Sequence, residues 1–370
     1  MIYHVLDERE PFSDYFGGAI QRWVANVLRN DGNSVVVCGE SDGSWQYDPA
    51  RVMVLPGIKA LRWLRGRQYY PDSIRSRIVC EVLAPLVRRV SRGDVVWVQN
   101  APDFASALAS RIHGGGGKVV LHKHNTFSVS RSAESVAKII RSVDKVVFCC
   151  NYLNLDTRER FPWFQHSAII ANGADSSLFY PEVQKGSNSK PIIAFAGRIV
   201  KEKGVHILLN AMRILLERRV DVEARIFGGS AFGGSKPTPY LTDLEAAAPP
   251  NVKFMGYAAS KDLARHLRTA DVFCSPSIWN EPFAMVNLEA MASGLPVVTT
   301  RVGGVPEAFT EGGGVLVPPG SSVALANALE SVIKNPELRE RLSHEGRQAF
   351  LKRFTWNCIS RQYHELAGSL

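Results

Sequence analysis

The chain has 370 residues, 45% of them apolar and 21% charged, with 44 lysines and arginines against 35 acidic residues. That length and balance suit two domains with separate cores, and they exclude intrinsic disorder and a disulfide-stapled miniprotein. Six cysteines without a C-x-x-C spacing, most of them inside apolar runs, predict reduced buried thiols in a cytosolic protein. No metal or other cofactor is expected. MIYHVLDERE carries four charges by residue 10, unlike a secretory signal. No uncharged stretch reaches the roughly 20 apolar residues of a membrane span.

Short Val- and Ile-rich runs alternate with helical patterns along the whole chain. After a first strand, YHVL, the segment DYFGGAIQRWVANVLR (14–29) sets Gly17 and Gly18 at the start of an amphipathic helix. Such a pair makes an anion site at a helix start, or simply a tight turn. Strands follow at 34–38, 52–55 and 94–98. Between Arg51 and Arg92 lie ten basic residues and two acidic ones, nearly the whole excess charge of +9. Within it, 58–77 interleaves arginine with Trp63, Tyr69 and Tyr70. This fits an anionic membrane surface or a phosphorylated glycan or glycolipid, and equally a plain solvated face; no motif supports nucleic acid.

The run GGGG (114–117) reads as a helix stop. The strand KVVLHKHNTF (118–127) ends with His122 and His124 on one face and Lys123 opposite. Two histidines without a third ligand make a weak metal site, and a polar strand end explains them as well. Further strands are expected at 145–150, 191–197, 222–228, 271–275 and 296–300, with helices at 203–219, 260–269, 282–293 and 321–334. Unbroken apolar strands between helices indicate parallel sheets covered on both faces, a doubly wound α/β architecture. The polar stretch 180–191 is the best domain boundary.

Three loops at strand ends could carry chemistry, since ligands of such sheets sit there. FAGRIVKEKG (195–204) offers Gly197, the planar fork of Arg198 and the point charge of Lys203, all suited to phosphates. A solvated basic loop is the alternative. In SIWNEPFAMVNLEAMASGLPVV (277–298), Pro282 suits the first helical position with Glu281 capping. The amides of Phe283, Ala284 and Met285 would then face a ligand, and Glu289 would lie roughly 12 Å further along the axis. Acceptor, donors and second acceptor in a row suit a nucleotide sugar; a capping Glu and a Glu in an internal ion pair are the structural alternative. GGVPE (303–307) adds another glycine pair after a strand. GGSAFGGS (228–235) lacks the acidic residue of a dinucleotide fingerprint.

Together these motifs resemble the retaining glycosyltransferases of family 4. Glu281 and Glu289, with seven residues between, look like its E-x7-E signature. GG in FGGAIQ, HNTF, NGAD (172–175), GR…KEKG and GGVPE follow the family's order. The resemblance covers about residues 15 to 357. It implies a GT-B architecture, two Rossmann-like parallel-sheet domains facing across an interdomain cleft. Residues 1–182, completed by a C-terminal helix at 355–370, would bind the acceptor, and 190–354 the nucleotide sugar.

By position, Arg198 and Lys203 would hold the donor diphosphate beside Gly197, with Gly17 and Gly18 approaching it. Glu281, Phe283 and Ala284 would bind the transferred sugar and Glu289 the ribose. The FMGY segment, with Met255 and Tyr257, would meet the base, and His124 the reacting hydroxyl. The implied activity is metal-independent transfer of a hexose-type sugar, from a UDP sugar by preference and a GDP sugar next. The acceptor would be a glycan, glycolipid or small-molecule hydroxyl in surface polysaccharide or glycolipid assembly. The setting would be the cytoplasm, peripheral on the inner face of the membrane. A two-Rossmann nucleotide-sugar epimerase and a non-catalytic sugar-nucleotide or membrane-binding module are the rival readings.

Overall fold

In the computed structural model, the apolar runs become two wholly parallel sheets. Residues 1–7, 11–13, 18–29, 31–44, 48–61, 74–127, 131–182, 190–230 and 237–370 are described. Gly17, most of the basic stretch 58–77 and most of GGSAFGGS lie outside them.

The first sheet is built from β1 (Ile2–Val5), β2 (Ser34–Cys38) and β3 (Val52–Val54), with α1 (Ala19–Val27) between the first two strands. Helices α2 (Pro56–Ala60), α3 (Ile74–Val82) and α4 (Ala84–Val87) lead to β4 (Val95–Gln99). Then α5 (Pro102–Gly114), β5 (Lys118–Lys123), α6 (Ala133–Ser142), β6 (Lys145–Phe148), α7 (Asn151–Arg160) and β7 (Ser167–Ile169) alternate. The strand order is β3-β2-β1-β4-β5-β6-β7. As the GGGG run predicts, α5 stops there, with Gly115 as its C-cap and Gly116 at φ 80.

The second sheet begins with β8 (Ile192–Ala196), followed by α8 (Val205–Glu217), β9 (Glu223–Phe227), α9 (Pro239–Ala246) and β10 (Val252–Gly256). It continues through α10 (Ser260–Thr269), β11 (Val272–Ser275), α11 (Met285–Ala292), β12 (Val297–Thr300) and β13 (Gly314–Val317). Helices α12 (Ser322–Lys334), α13 (Pro336–Arg353) and α14 (Trp356–Gly368) finish the chain. The order is β10-β9-β8-β11-β12-β13. Leu208 and Met212 of α8 and Leu325 and Leu329 of α12 close over Ile193, Ile226 and Val298 in one buried cluster. Each such side chain removed from water contributes about 1.5–3 kcal/mol.

The chain divides into two units, Met1–Asn172 with Ile359–Leu370, and Gly173–Cys358. The expected limits were 1–182, completed by a helix at 355–370, and 190–354; the division here falls between 172 and 173. Residues 173–182 belong to the second unit because their backbone is tied to it. The Ala174 amide donates to the Phe354 carbonyl at 3.0 Å, and Arg268 and Arg347 donate to the carbonyls of Leu178 and Phe179. Helix α14 likewise starts in the second unit and continues into the first. All six cysteines are free thiols, five of them buried. Among the described residues no helix is long and apolar enough to cross a membrane.

Candidate functional site

Each sheet is doubly wound from its middle: the chain runs outward from β1 to β3 and returns to β4, and outward from β8 to β10 and returns to β11. The crevice at such a reversal, beyond the strands' carboxyl ends, is where open α/β sheets bind ligands. In the second unit it falls between the loops after β8 and β11.

Three neighbouring strands there give way to glycines in the left-handed half of backbone space: Gly197 (φ 152), Gly228 (φ 150) and Gly256 (φ 73). Gly228 donates to the Gly256 carbonyl at 2.8 Å, and a Cβ on it would overlap the Gly197 carbonyl oxygen. The strand ends thus present bare backbone, with Arg198 exposed just beyond. A 3-10 turn, Lys201–Lys203, ends on Gly204 at φ 72, the residue before α8. A Cβ on Gly204 would overlap the carbonyl oxygen of Pro276. Ile278 also donates to the Glu202 carbonyl at 2.9 Å, so turn and loop share a backbone contact.

That contact brings Lys203 to Glu281. The Lys203 ammonium donates to Oε1 of Glu281, and the Ser277 hydroxyl donates to Oε2 at 2.8 Å. The Trp279 ring lies 5.8 Å from the ammonium. Both charged side chains are largely shielded from water, where a charge-assisted bond is strong.

The helix after Glu281 starts later than its sequence suggests. Its N-cap is Ala284, without a side-chain cap, and Met285 is its first residue. Glu281 therefore does not cap it. The segment 277–284 is held off by the glycine pair after β12: Gly304 donates to the Glu281 carbonyl at 2.9 Å, and a Cβ on Gly303 would overlap that oxygen. Thr299 and Thr300 donate to the carbonyls of Ser275 and Ser277 at 2.8 and 2.5 Å. Glu289 is buried on α11, roughly 6 Å along the axis from Met285; with Glu281 outside the helix, the roughly 12 Å spacing expected from a cap at 281 does not apply. Among the described residues no group accepts a hydrogen bond from the amides of Phe283, Ala284, Met285 or Val286, so this helix start can receive an anion. Met255 and Tyr257 are exposed at the end of edge strand β10.

In the first unit, Gly18 is the N-cap of α1. His122 and His124 lie on one face of β5 and its end, both buried, with ring centroids 4.1 Å apart. Lys123 is buried too, its ammonium donating to Asn100 Oδ1 at 3.1 Å over the Phe127 ring. Nε2 of His124 meets Oε1 of Gln99 at 3.0 Å. Burial first, and then the Lys123 charge, lowers the pKa of His124 to about 3. Burial lowers His4 to about 3 as well and His122 well below its usual value.

These shifts carry a sign. The unfolded imidazoles bind protons near pH 6.5 and the folded ones do not. Their contribution to stability is full above about 6.5 and lost progressively as pH falls toward 3. The thermal midpoint of the first unit should therefore fall between pH 6.5 and 5, before ordinary carboxylates titrate near 4. A midpoint constant over that interval would contradict buried neutral histidines.

The sequence reading missed Ser277, Trp279, Thr299 and Thr300, which fix the Glu281 loop, and Gln99, which holds His124. Thr299 and Thr300 end an apolar strand, a visible sign, while Gln99 stands among buried valines without a pattern of its own.

Residues 179–349 match the family described as glycosyl transferases group 1. The chain is 30% identical, over 73% of its length and 77% of the relative's, to spore coat protein SA of Bacillus subtilis. The chain belongs to the group 1 glycosyltransferases. Another relative, 24% identical over 95% of this chain and 94% of its own, is the GDP-mannose-dependent monoacylated alpha-(1-6)-phosphatidylinositol monomannoside mannosyltransferase of Corynebacterium glutamicum. Among solved structures, Anabaena HepE in complex with UDP and glucose superposes with a TM-score of 0.74 at 21% identity, covering 100% of this chain and 99% of its own. The fold is GT-B, two parallel-sheet α/β domains. In this group 1 glycosyltransferase the Lys203–Glu281 pair occupies the switch point of the second domain.

Proposed function

We propose that the protein transfers a hexose-type sugar from a nucleoside diphosphate sugar, UDP before GDP, to a hydroxyl of a glycan or glycolipid with retention of configuration. The observation carrying this reading is the Lys203–Glu281 pair, set by backbone contact between the β8 and β11 loops. Arg198 and Lys203 neutralise the diphosphate, together with the open amides before α11. Glu281 accepts hydrogen bonds from the transferred sugar, Glu289 from the ribose, and the backbone around Met255 and Tyr257 meets the base. Gly18 and, outside the described residues, Gly17 serve the same donor, and His124 the acceptor hydroxyl.

The glycosidic carbon–oxygen bond to the diphosphate breaks as the acceptor oxygen forms its bond on the same face. The departing phosphate oxygen takes the acceptor's proton. Negative charge grows on the leaving group, so fixed cations and amides aimed at it lower the barrier. Arg198 and Lys203 fill the place a metal takes in other transferases, and activity in EDTA is expected. The basic residues of 58–77 are proposed to meet an anionic acceptor or the inner membrane face.

The test is a thermal-shift panel of UDP and GDP sugars, followed by NMR of the product anomer. Glu289→Ala should abolish the UDP-induced shift and transfer while preserving the unliganded melting curve. A product of inverted configuration, or an unchanged shift in Glu289→Ala, would contradict the assignment.

A further inference from the structure

A chain of buried polar groups in the first unit leads from a carboxylate to His124. Asp31 is buried, and its carboxylate oxygens accept hydrogen bonds. The Asn33 amide donates to its Oδ1 at 2.8 Å and the Ser34 hydroxyl donates to its Oδ2. With that proton committed, Ser34 Oγ accepts from the Tyr363 hydroxyl, 3.4 Å away. The Tyr363 oxygen then accepts from His4 Nε2 at 2.7 Å. His4 is neutral, so its Nδ1 carries no proton and accepts from the Gln99 amide at 3.3 Å. The other end of that amide, Oε1, is a pure acceptor at 3.0 Å from His124 Nε2.

Taken from the carboxylate end, with Tyr363 donating to Ser34 rather than to His4, the steps run in one direction. In that direction the imidazole of His124 carries its proton on Nε2. The His122 ring at 4.1 Å and the Trp23 ring at 6.2 Å restrict the ring from turning over. Nδ1 is left as the lone-pair nitrogen. No described group meets it in hydrogen-bond geometry, although the Asn172 side chain is near enough for its hydrogen-bonding influence to raise the imidazole's pKa against the effect of burial.

We propose that Gln99, fixed by His4 and Tyr363, is a positioning residue that holds His124 as its Nε2–H tautomer, so that Nδ1 accepts a hydrogen bond from a substrate hydroxyl. This rests on the reading that His124 meets the reacting hydroxyl. No proton is transferred to the histidine: the hydroxyl donates its one proton to Nδ1 as it docks, and swings that proton to the leaving phosphate oxygen, which takes it as the new bond forms. Tyr363 lies on α14, so the last helix supports the tautomer as well as the fold.

The test is 15N NMR of histidine-labelled protein, with the His124 signals assigned by their loss in His124→Ala. The Nε2–H pattern is expected in the parent. Gln99→Leu should raise the Nδ1–H share and lower kcat roughly tenfold, the scale of one buried hydrogen bond, with KM for the donor unchanged. Gln99→Glu keeps an acceptor for Nε2–H and should restore the parent tautomer. Tyr363→Phe removes a remoter link and should shift the tautomer in the same direction, which covers the case of a misfolded Gln99→Leu. A parent protein in the Nδ1–H form, or a tautomer unmoved in both Gln99→Leu and Tyr363→Phe, would overturn the proposal. Unchanged turnover in His124→Ala would instead overturn the catalytic reading of this histidine, whatever its tautomer.

Discussion

Replacing Lys203 with alanine should lower sugar transfer by roughly 10²–10³-fold, the range for removing one fixed donor aimed at developing charge. The ammonium is held by a 3-10 turn rather than by a flexible loop, and it already rests on a carboxylate, Glu281. Its position is thus fixed before any substrate arrives. A cation that acts mainly on the leaving diphosphate should affect kcat more than donor affinity, because the charge grows as the bond breaks. The Lys203→Ala enzyme should therefore bind UDP only modestly less well while turning over far more slowly.

A double-mutant cycle separates this from mere loss of the ion pair. Glu281→Gln alone leaves Lys203 without its carboxylate, and Lys203→Ala alone leaves Glu281 with Ser277. Residues in direct contact couple by about 0.5–3 kcal/mol, so the double variant should be clearly less impaired than the sum of the singles. Near-parent kcat in Lys203→Ala would contradict the assignment of this cation to the leaving group.

The parts of the fold legible in the sequence were those buried on both faces. β2, β4, β5, β8, β11 and β12 are unbroken apolar runs and are interior strands of their sheets. The short strands β7 and β13 were not legible as strands; both are sheet edges with partly exposed residues, as is β3, whose run at 52–55 was legible. The edge strand β10 was legible only through the family resemblance at FMGY. Lys203 and Glu281 were recognisable as chemistry-bearing residues, but not their bond, which depends on backbone contacts between Gly204 and Pro276 and between Gly303 and Glu281. Local rules also misplaced the start of α11. Pro282 is suited to a first helical turn, yet the glycine pair at 303 and 304 holds Glu281 in the loop instead. The network behind His124 joins β1, β4, the end of β5 and α14, segments far apart in the chain, so no motif could announce it.

The second large effect is expected at Gly204. Its φ of 72 alone costs an alanine about 1 kcal/mol. The added Cβ would also overlap the Pro276 carbonyl oxygen, and since both sides are backbone, neither can yield by a rotamer change. Gly204→Ala should therefore destabilise the second unit by about 2–4 kcal/mol. Gly320 supplies the control, because it has φ 76 with open space around its would-be Cβ. Gly320→Ala should show only the conformational cost, near 1 kcal/mol. The difference between the two measures the close approach of the turn to the β11 loop. That approach sets Lys203 against Glu281, so Gly204→Ala should also weaken the UDP-induced thermal shift, while Gly320→Ala leaves it unchanged. Chemical denaturation and the shift assay decide together. Equal losses at the two glycines would mean that the turn and the loop are not in contact, and the site would then lack the backbone scaffold on which its charge pair depends.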